Sequence, residues 1–505
     1  MNPFASAYLD LIVFDIGGTL VHEASAVTAV GDLVAQPIGD AVAELALLAT
    51  QVRLAAATDT SVMTEADVRR LLDPVGLGDL LAVIVTSTDV GAAKPDPTSL
   101  REAMGRCGVT DGTRVLFVGN ADCDAEAAAA AGCHYVAVPA GELEGPGAVV
   151  ERWISEQVGR SFHGVVAAVT DPDASVRVEA RARHDELTKP QGSLGRLEGI
   201  GIELAAMAGE VLPPDPFPAC VAVFAGDHGV LDAGVSPWPR EVTTAMVATF
   251  AQGRAAVNTI ASSGGMDVVV VDVGVALDPV LHPRVMNRRV TAASADLSVG
   301  PAMTRAQTLA ALDVGAEMAS RLVREGNRCL IGGDMGIGNT TPSAALIASL
   351  TGGDPRLLTG RGTGIDDATL ERKATIVADA VARTAGKSPL EVLAECGGLE
   401  IAALAGFFLG GAANRVPVVV DGVIALAAAT VAHALCPQAR GWWIAGHRST
   451  EPAASAVLAH LGLEPVLDLE LRLGEGTGAA LAYPVVRAAA AVLRDMATMA
   501  DLGLA

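Results

Sequence analysis

Aromatic residues are scarce in this 505-residue chain, at 3%. Ala, Val, Leu and Gly must therefore build its core. Positive charge is scarce too: 35 basic residues face 58 acidic ones, a net charge of −23. A nucleic-acid footprint needs a basic face and anionic membranes attract basic clusters, so neither is expected as a partner. Lysine is rarer still, with only Lys94, Lys189, Lys373 and Lys387. The seven cysteines form no CxxC pair and have no histidine at zinc-ligand spacing. Scattered this way, they read as reduced thiols rather than a disulfide framework or a metal centre. No basic segment leads into an apolar one at the start, which argues against a signal peptide. The longest apolar stretches, 401–413 and 423–435, fall short of the ~20 residues a spanning helix needs and read as buried helices. The expected setting is cytoplasmic.

What is present is ample apolar material, 51% of residues, in a chain too long for one domain of ordinary size. Short apolar runs ending in small or polar residues predict strands at 11–14, 52–57, 81–85, 115–118 and 135–138. Further runs predict strands at 219–225, 267–273, 328–332, 416–420 and 441–445. Helical patterning lies between them. Such alternation implies α/β architecture with parallel sheets, and ligands gathered at the C-terminal strand ends. Sheet periodicity lapses over 155–176. The expected organisation is two Rossmann-like doubly wound domains, 1–150 and 176–505, joined by a linker over 151–175, the second domain carrying a smaller helical subdomain. Acidity is concentrated in the first part: to residue 160 there are 9 basic and 22 acidic residues, and 26 and 36 thereafter.

Four small motifs follow one another in the N-terminal part: Asp15-Ile16-Gly17-Gly18-Thr19, Thr58-Asp59, Lys94-Pro95-Asp96 and Gly119-Asn120-Ala121-Asp122-Cys123-Asp124. The set suits phosphoryl transfer, in which a carboxylate attacks phosphorus, a hydroxyl and a lysine hold phosphoryl oxygens, and further carboxylates hold Mg2+. Residues 9–140 thereby resemble the haloacid dehalogenase-like hydrolases. The resemblance implies Asp15 as nucleophile, Thr58 and Lys94 as phosphate holders, and Asp15 with Asp122, joined by Asp124, as Mg2+ ligands. It fails at Gly17, where the family's phosphatases carry a second Asp as general acid/base. Losing such a group costs about 10²–10⁴-fold in rate. The N-terminal domain is accordingly expected to be a degenerate hydrolase. The alternative is a bifunctional enzyme whose N-terminal domain also dephosphorylates the product of the other domain or another phosphate ester.

The C-terminal motifs are longer. Gly332–Thr341 (GGDMGIGNTT) follows a predicted strand and leads into a helix. Its glycines let backbone N–H groups approach an anion, and Asn339, Thr340 and Thr341 can donate hydrogen bonds at a helix N-terminus. With no Walker lysine, it suits a phosphate monoester rather than a nucleoside triphosphate. Gly360–Gly364 is a second glycine-rich loop, with Arg361 available for phosphate. Glu475, set between Gly474 and Gly476, would have its pKa raised toward that of a general base if buried against the apolar 465–473 segment. Asp227-His228 lacks a third metal ligand at suitable spacing and reads as structural or pocket-lining.

These blocks, with Lys189–Glu198 (KPQGSLGRLE), GDHGV, GIGNTTP and LGEGTGAA in order over 180–500, resemble the nicotinate-nucleotide–dimethylbenzimidazole phosphoribosyltransferase family. The resemblance implies transfer of phosphoribosyl from nicotinate mononucleotide to 5,6-dimethylbenzimidazole, with no cofactor. It implies Glu475 as general base and Asp334, where relatives commonly carry Glu, as a secondary carboxylate. Gly336, Gly338, Asn339, Thr340, Thr341, Arg361, Gly474 and Gly476 would hold the phosphate or nucleotide. Ser236, Pro237 and Met246 would line the base pocket. A second departure is Ala293–Asp296, where a more Gly/Thr/Asn-like run is expected. The family also implies a homodimer.

Overall fold

The computed structural model describes residues 4–22, 33–138, 145–362 and 364–503. The chain divides into two compact units, Met1–Gln157 and Val158–Ala505, each built on a parallel sheet. In the first unit the strands are β1 (Leu11–Phe14), β2 (Arg53–Thr58), β3 (Val83–Thr86), β4 (Val115–Gly119) and β5 (His134–Ala137). They lie in the order β3-β2-β1-β4-β5, all parallel. β1, β3 and β4 are buried along their whole length, as continuous apolar runs require in a sheet covered on both faces. The order reverses between β1 and β4, so the ends of these two strands form the crevice where doubly wound sheets place ligands.

The second unit contains β6 (Ala219–Gly226), β7 (Asp267–Gly274), β8 (Val285–Asn287), β9 (Cys329–Met335), β10 (Val418–Val420) and β11 (Trp443–Ala445). Their order is β11-β10-β9-β6-β7-β8, again all parallel. The reversal here falls between β6 and β9, which carry the Asp227-His228 and Gly332–Thr341 motifs at their ends. The two long apolar stretches are helices, Leu399–Ala413 and Val423–Leu435, almost wholly buried. Leu399–Ala413 crosses the helix Arg305–Arg324 closely enough that glycine is obligatory: a Cβ on Gly315 would lie 1.8 Å from Ala403 O. The helices Ala174–Glu186, Arg196–Ala208 and Thr477–Asp495 contribute Val176, Ala180, Ile202, Ala205 and Leu493 to a small separate core.

Residues 151–175, expected as a linker, contain the division between the two units, after Gln157, and are largely helical. They fall in the helices Pro146–Gln157 and Arg160–Ala168 and the start of Ala174–Glu186. Short helices interrupted at Gly159 and Pro172 carry little periodicity. A distant carboxylate fixes the start of Arg160–Ala168, Asp313 accepting the Gly159 and Phe162 N–H groups at 2.5 and 2.7 Å, and the adjacent Asp173 caps Ala174–Glu186. The three-residue strand β8 also escaped the sequence pattern, because nothing in Val285–Asn287 alternates. The Gly/Pro-rich stretch from 139 lies mostly outside the described residues.

Candidate active site

At the C-terminal edge of the second sheet, four segments bring their carboxylates together. Asp334 ends β9, Asp421 follows β10, Glu400 opens the helix Leu399–Ala413, and Glu475 precedes the helix Thr477–Asp495. All four are buried. Glu475 sits in left-handed backbone at φ 63°, a strained geometry for a non-glycine residue. The flanking loop is pressed against β9, since a Cβ on Gly333 would lie 2.3 Å from Glu475 O and one on Gly474 3.2 Å from both Asp334 carboxylate oxygens.

Burial pushes the Glu475 carboxyl up to about 7, against a hydrogen bond from the Val257 N–H and with some help from Asp421. Its Oε2 has no partner. Burial raises Asp334 well above the usual carboxylate range, and the charges of Asp421 and Glu400 add to this. Asn339 Nδ2 donates to Asp334 Oδ2 at 3.0 Å, while Oδ1 is unpartnered. Across the switch point, His228 Nε2 lies 2.8 Å from Glu400 Oε1, leaving Glu400 Oε2 and His228 Nδ1 without partners. Buried polar atoms are normally satisfied. Unpartnered oxygens on Glu475, Asp334 and Glu400 at one sheet edge mark a place where a ligand supplies donors.

Asn339 precedes the helix Thr340–Thr351. Thr340 Oγ1 accepts from Lys373 Nζ at 2.7 Å, and the same ammonium donates to Gly360 O at 3.0 Å. Lys373 is buried, and its pKa falls to about 8 for that reason. The expected phosphate ligand Arg361 is exposed: it donates to Ile365 O at 2.7 Å and pairs with Asp367 at the start of the next helix. The cation brought to both glycine loops is therefore Lys373. Thr341 Oγ1 is buried without a partner. Gly336 and Gly338 pack against His228 and Val235, respectively. In the segment expected to take the base, Ser236 and Met246 are half-buried and Pro237 is exposed. Thr243 Oγ1, one turn before Met246, accepts the Ile337 N–H at 3.2 Å, tying that helix to the phosphate loop.

In the first unit, Lys94 Nζ lies 2.6 Å from both Asp15 Oδ1 and Asp124 Oδ1, with all three side chains largely buried. Burial raises the Asp15 carboxyl, partly offset by the Lys94 ammonium. Thr58 is buried at the end of β2. Asp122, expected as a metal ligand, is exposed. It is Asp124, two residues on in the same helix, that turns inward, its Oδ2 accepting the Asn120 and Ala121 N–H groups at 3.0 Å. Asp15 and Asp124 suit Mg2+, which commonly takes one or two carboxylates and completes its shell with water and phosphate oxygens. No cluster of three or more His, Cys, Asp or Glu arranged to hold a metal occurs among the described residues.

Residues 169–504 match the phosphoribosyltransferase family, and residues 36–138 the haloacid dehalogenase-like hydrolase family. The nicotinate-nucleotide–dimethylbenzimidazole phosphoribosyltransferase of Salinispora tropica is 49% identical over 67% of this chain and 98% of its own length. That of Mycobacterium avium is 49% identical over 67% and 97%. The chain belongs to the nicotinate-nucleotide–dimethylbenzimidazole phosphoribosyltransferase family. The crystal structure of CobT from Thermus thermophilus covers 66% of this chain and 99% of its own, with TM-score 0.64 and 46% identity. This phosphoribosyltransferase also carries an N-terminal haloacid dehalogenase-like unit.

Four residues in or beside this cluster were not among the expected site residues: Glu400, Asp421 and Lys373, and His228, which was read only as structural or pocket-lining. Each did leave a trace. Asp421 ends an apolar run at a glycine, Glu400 follows a Gly-Gly pair, His228 lies in the GDHGV block, and Lys373 is one of four lysines in an arginine-rich chain.

Proposed function

We propose that this phosphoribosyltransferase moves the phosphoribosyl group of nicotinate mononucleotide to 5,6-dimethylbenzimidazole, giving α-ribazole 5′-phosphate and nicotinate. The observation that carries the reading is Glu475: a buried carboxylate with a pKa of about 7 and an unpartnered oxygen. Benzimidazole nitrogen must lose the proton on its other ring nitrogen as it bonds to C1′, and a base titrating near neutrality suits that transfer. The leaving group, a pyridinium nitrogen, departs as neutral nicotinate ring with the bonding pair, so no acid is required to expel it. Attack opposite to nicotinate inverts C1′ from β to α. Asp334, whose carboxyl burial raises well above the usual range, takes the secondary role beside the base, with one oxygen held by Asn339 and the other open to a ligand donor. Backbone N–H groups at Gly336–Thr341, with Lys373 behind Thr340, supply local positive potential to the 5′-phosphate despite the chain's net charge of −23. Holding both reactants in register contributes much of the rate. The proposal includes a cytoplasmic homodimer, checked by light scattering in solution; no helix among the described residues is long and apolar enough to cross a membrane.

For the N-terminal unit we propose a phosphate-ester-binding module with little turnover. Asp15 and Asp124 would hold Mg2+, which supplies charge neutralisation at phosphoryl oxygens. Asp15 has the nucleophile's place, but Gly17 has no proton to give or take. Mass spectrometry of products from nicotinate mononucleotide and a panel of bases tests the main activity. Phosphate release from α-ribazole phosphate, compared with Asp15→Asn, tests the bifunctional alternative: release abolished by that substitution supports it, and no release at all removes it.

A further inference from the structure

Arg415 holds a backbone conformation that glycine ordinarily supplies. The helix Leu399–Ala413 ends with Arg415 N–H bonded to Ala412 O and Val416 N–H to Gly411 O, both at 3.1 Å, the paired bonds of a Schellman turn. Arg415, at the pivot, takes φ 58°. Elsewhere in the chain left-handed helix ends are held by glycine, as at Gly132, Gly209, Gly352 and Gly462. A Cβ is strained there, and such strain gathers where a side chain has a use. Among the described residues Ala293, Glu470 and Glu475 are the other non-glycine residues with positive φ, and Glu475 is the one of them in the candidate active site.

The Arg415 side chain lines a cavity of about 230 Å³. Leu204, Met207, Pro216 and Val416 give it an apolar wall, and Arg328 is its second basic residue. Neither guanidinium has a hydrogen-bond or ion-pair partner among the described residues; Asp173 senses Arg415 only at a distance. Of the two acids on the same lining, Asp215 is taken by Arg487 in a bidentate pair at 2.9 and 2.5 Å. That leaves Glu210 as the one acid on the lining without an arginine partner, facing two arginines whose guanidinium donors are not engaged, with Asp173 in electrostatic reach of Arg415. The cavity lies at the N-terminal ends of β6, β9 and β10. Asp334 and Gly336 lie at the other end of β9, whose seven residues span about 20 Å.

We propose that this cavity binds a compact organic monocarboxylate with an apolar ring or branched-alkyl body, at a site separate from the glycine-loop site. Two planar guanidinium forks match a carboxylate. The apolar wall takes the body of the ligand, and the volume admits one ring but not a nucleotide. Carbon-13 carboxyl-labelled benzoate, titrated into the full chain and followed by NMR, tests this. One saturable site per chain is expected, weakened about tenfold or more in Arg415→Gly and in Arg328→Gln by loss of a charge-assisted contact. Neutral benzamide should not compete, and the Arg415→Gly chain should melt no lower than wild type and keep full phosphoribosyl transfer. Absence of saturable binding at millimolar benzoate, or equal binding by both variants, would overturn the proposal. So would displacement of benzoate by nicotinate mononucleotide or dimethylbenzimidazole, which would put it in the glycine-loop site. Transfer activity is read separately, so failure here leaves the assigned reaction standing.

Discussion

Asp421 fixes the backbone beside Glu475: its Oδ2 accepts the Gly476 N–H at 3.1 Å, and its Oδ1 accepts the Ala479 N–H at 2.8 Å. His447 Nε2 lies 3.3 Å from the same carboxylate. One side chain at the end of β10 thus caps the helix Thr477–Asp495 and sets the strained residue before it. It also adds to the charge that holds the Asp334 and Glu475 pKa values up.

Asp421→Asn should therefore do two separable things. It keeps one acceptor oxygen, so the loss of stability should stay near ~1 kcal/mol, against about 2–3 kcal/mol for Asp421→Ala, which orphans two buried donors. By removing a negative charge it should also shift the acid limb of the pH–rate profile downward. Thermal melts and kcat/KM from about pH 5.5 to 8.5 check both; a limb that stays put would mean Asp421 acts through backbone position alone.

Lys373 is charged at pH 7 in both states, but burial lowers its folded pKa to about 8 from an ordinary 10.5. Between those values the unfolded chain binds the extra proton, so stability rises with pH across that window. Relative to Lys373→Met, the wild type should gain up to about 3 kcal/mol between pH 8 and pH 10.5, measured by urea unfolding. The same substitution should raise KM for nicotinate mononucleotide about tenfold or more by removing the cation behind Thr340.

Gly17 offers a gain-of-function test of the N-terminal unit. A Cβ there meets nothing within 4 Å, so Gly17→Asp should fit without strain. With Mg2+ present, it should raise hydrolysis of p-nitrophenyl phosphate by about 10²-fold or more over a negligible background. Adding Asp15→Asn should remove the gain. Equal rates with and without Asp at that position would place the deficiency elsewhere.

The legible part of this protein was the set of strand ends. Apolar runs stopping at Asp15, Thr58, Gly119, Gly226 and the Gly332–Thr341 block located both crevices, because parallel strands leave their C-terminal ends to the site. Which strand ends meet was not legible. Glu400 and Asp421 join Asp334 only through the order β10-β9-β6, a long-range pairing that no local window contains. The partners of Arg361 and Asp122 were not legible either. Asp367, at the start of the next helix, pairs with Arg361, and helical rotation turns Asp124 rather than Asp122 toward Lys94. The helices within the expected linker 151–175 were not legible, because they are short and broken at Gly159 and Pro172.

The most direct test of the whole account is nicotinate release from nicotinate mononucleotide in the presence of 5,6-dimethylbenzimidazole, compared between wild type and Glu475→Gln across about pH 5.5 to 8.5. The wild type should form nicotinate and α-ribazole 5′-phosphate in equal amounts, with kcat/KM rising through an apparent pKa of about 7 and levelling above it. Glu475→Gln should lose about 10²–10⁴-fold in rate together with that limb, while binding nicotinate mononucleotide as before. A Gln variant with an unchanged rate and pH profile would contradict Glu475 as the base.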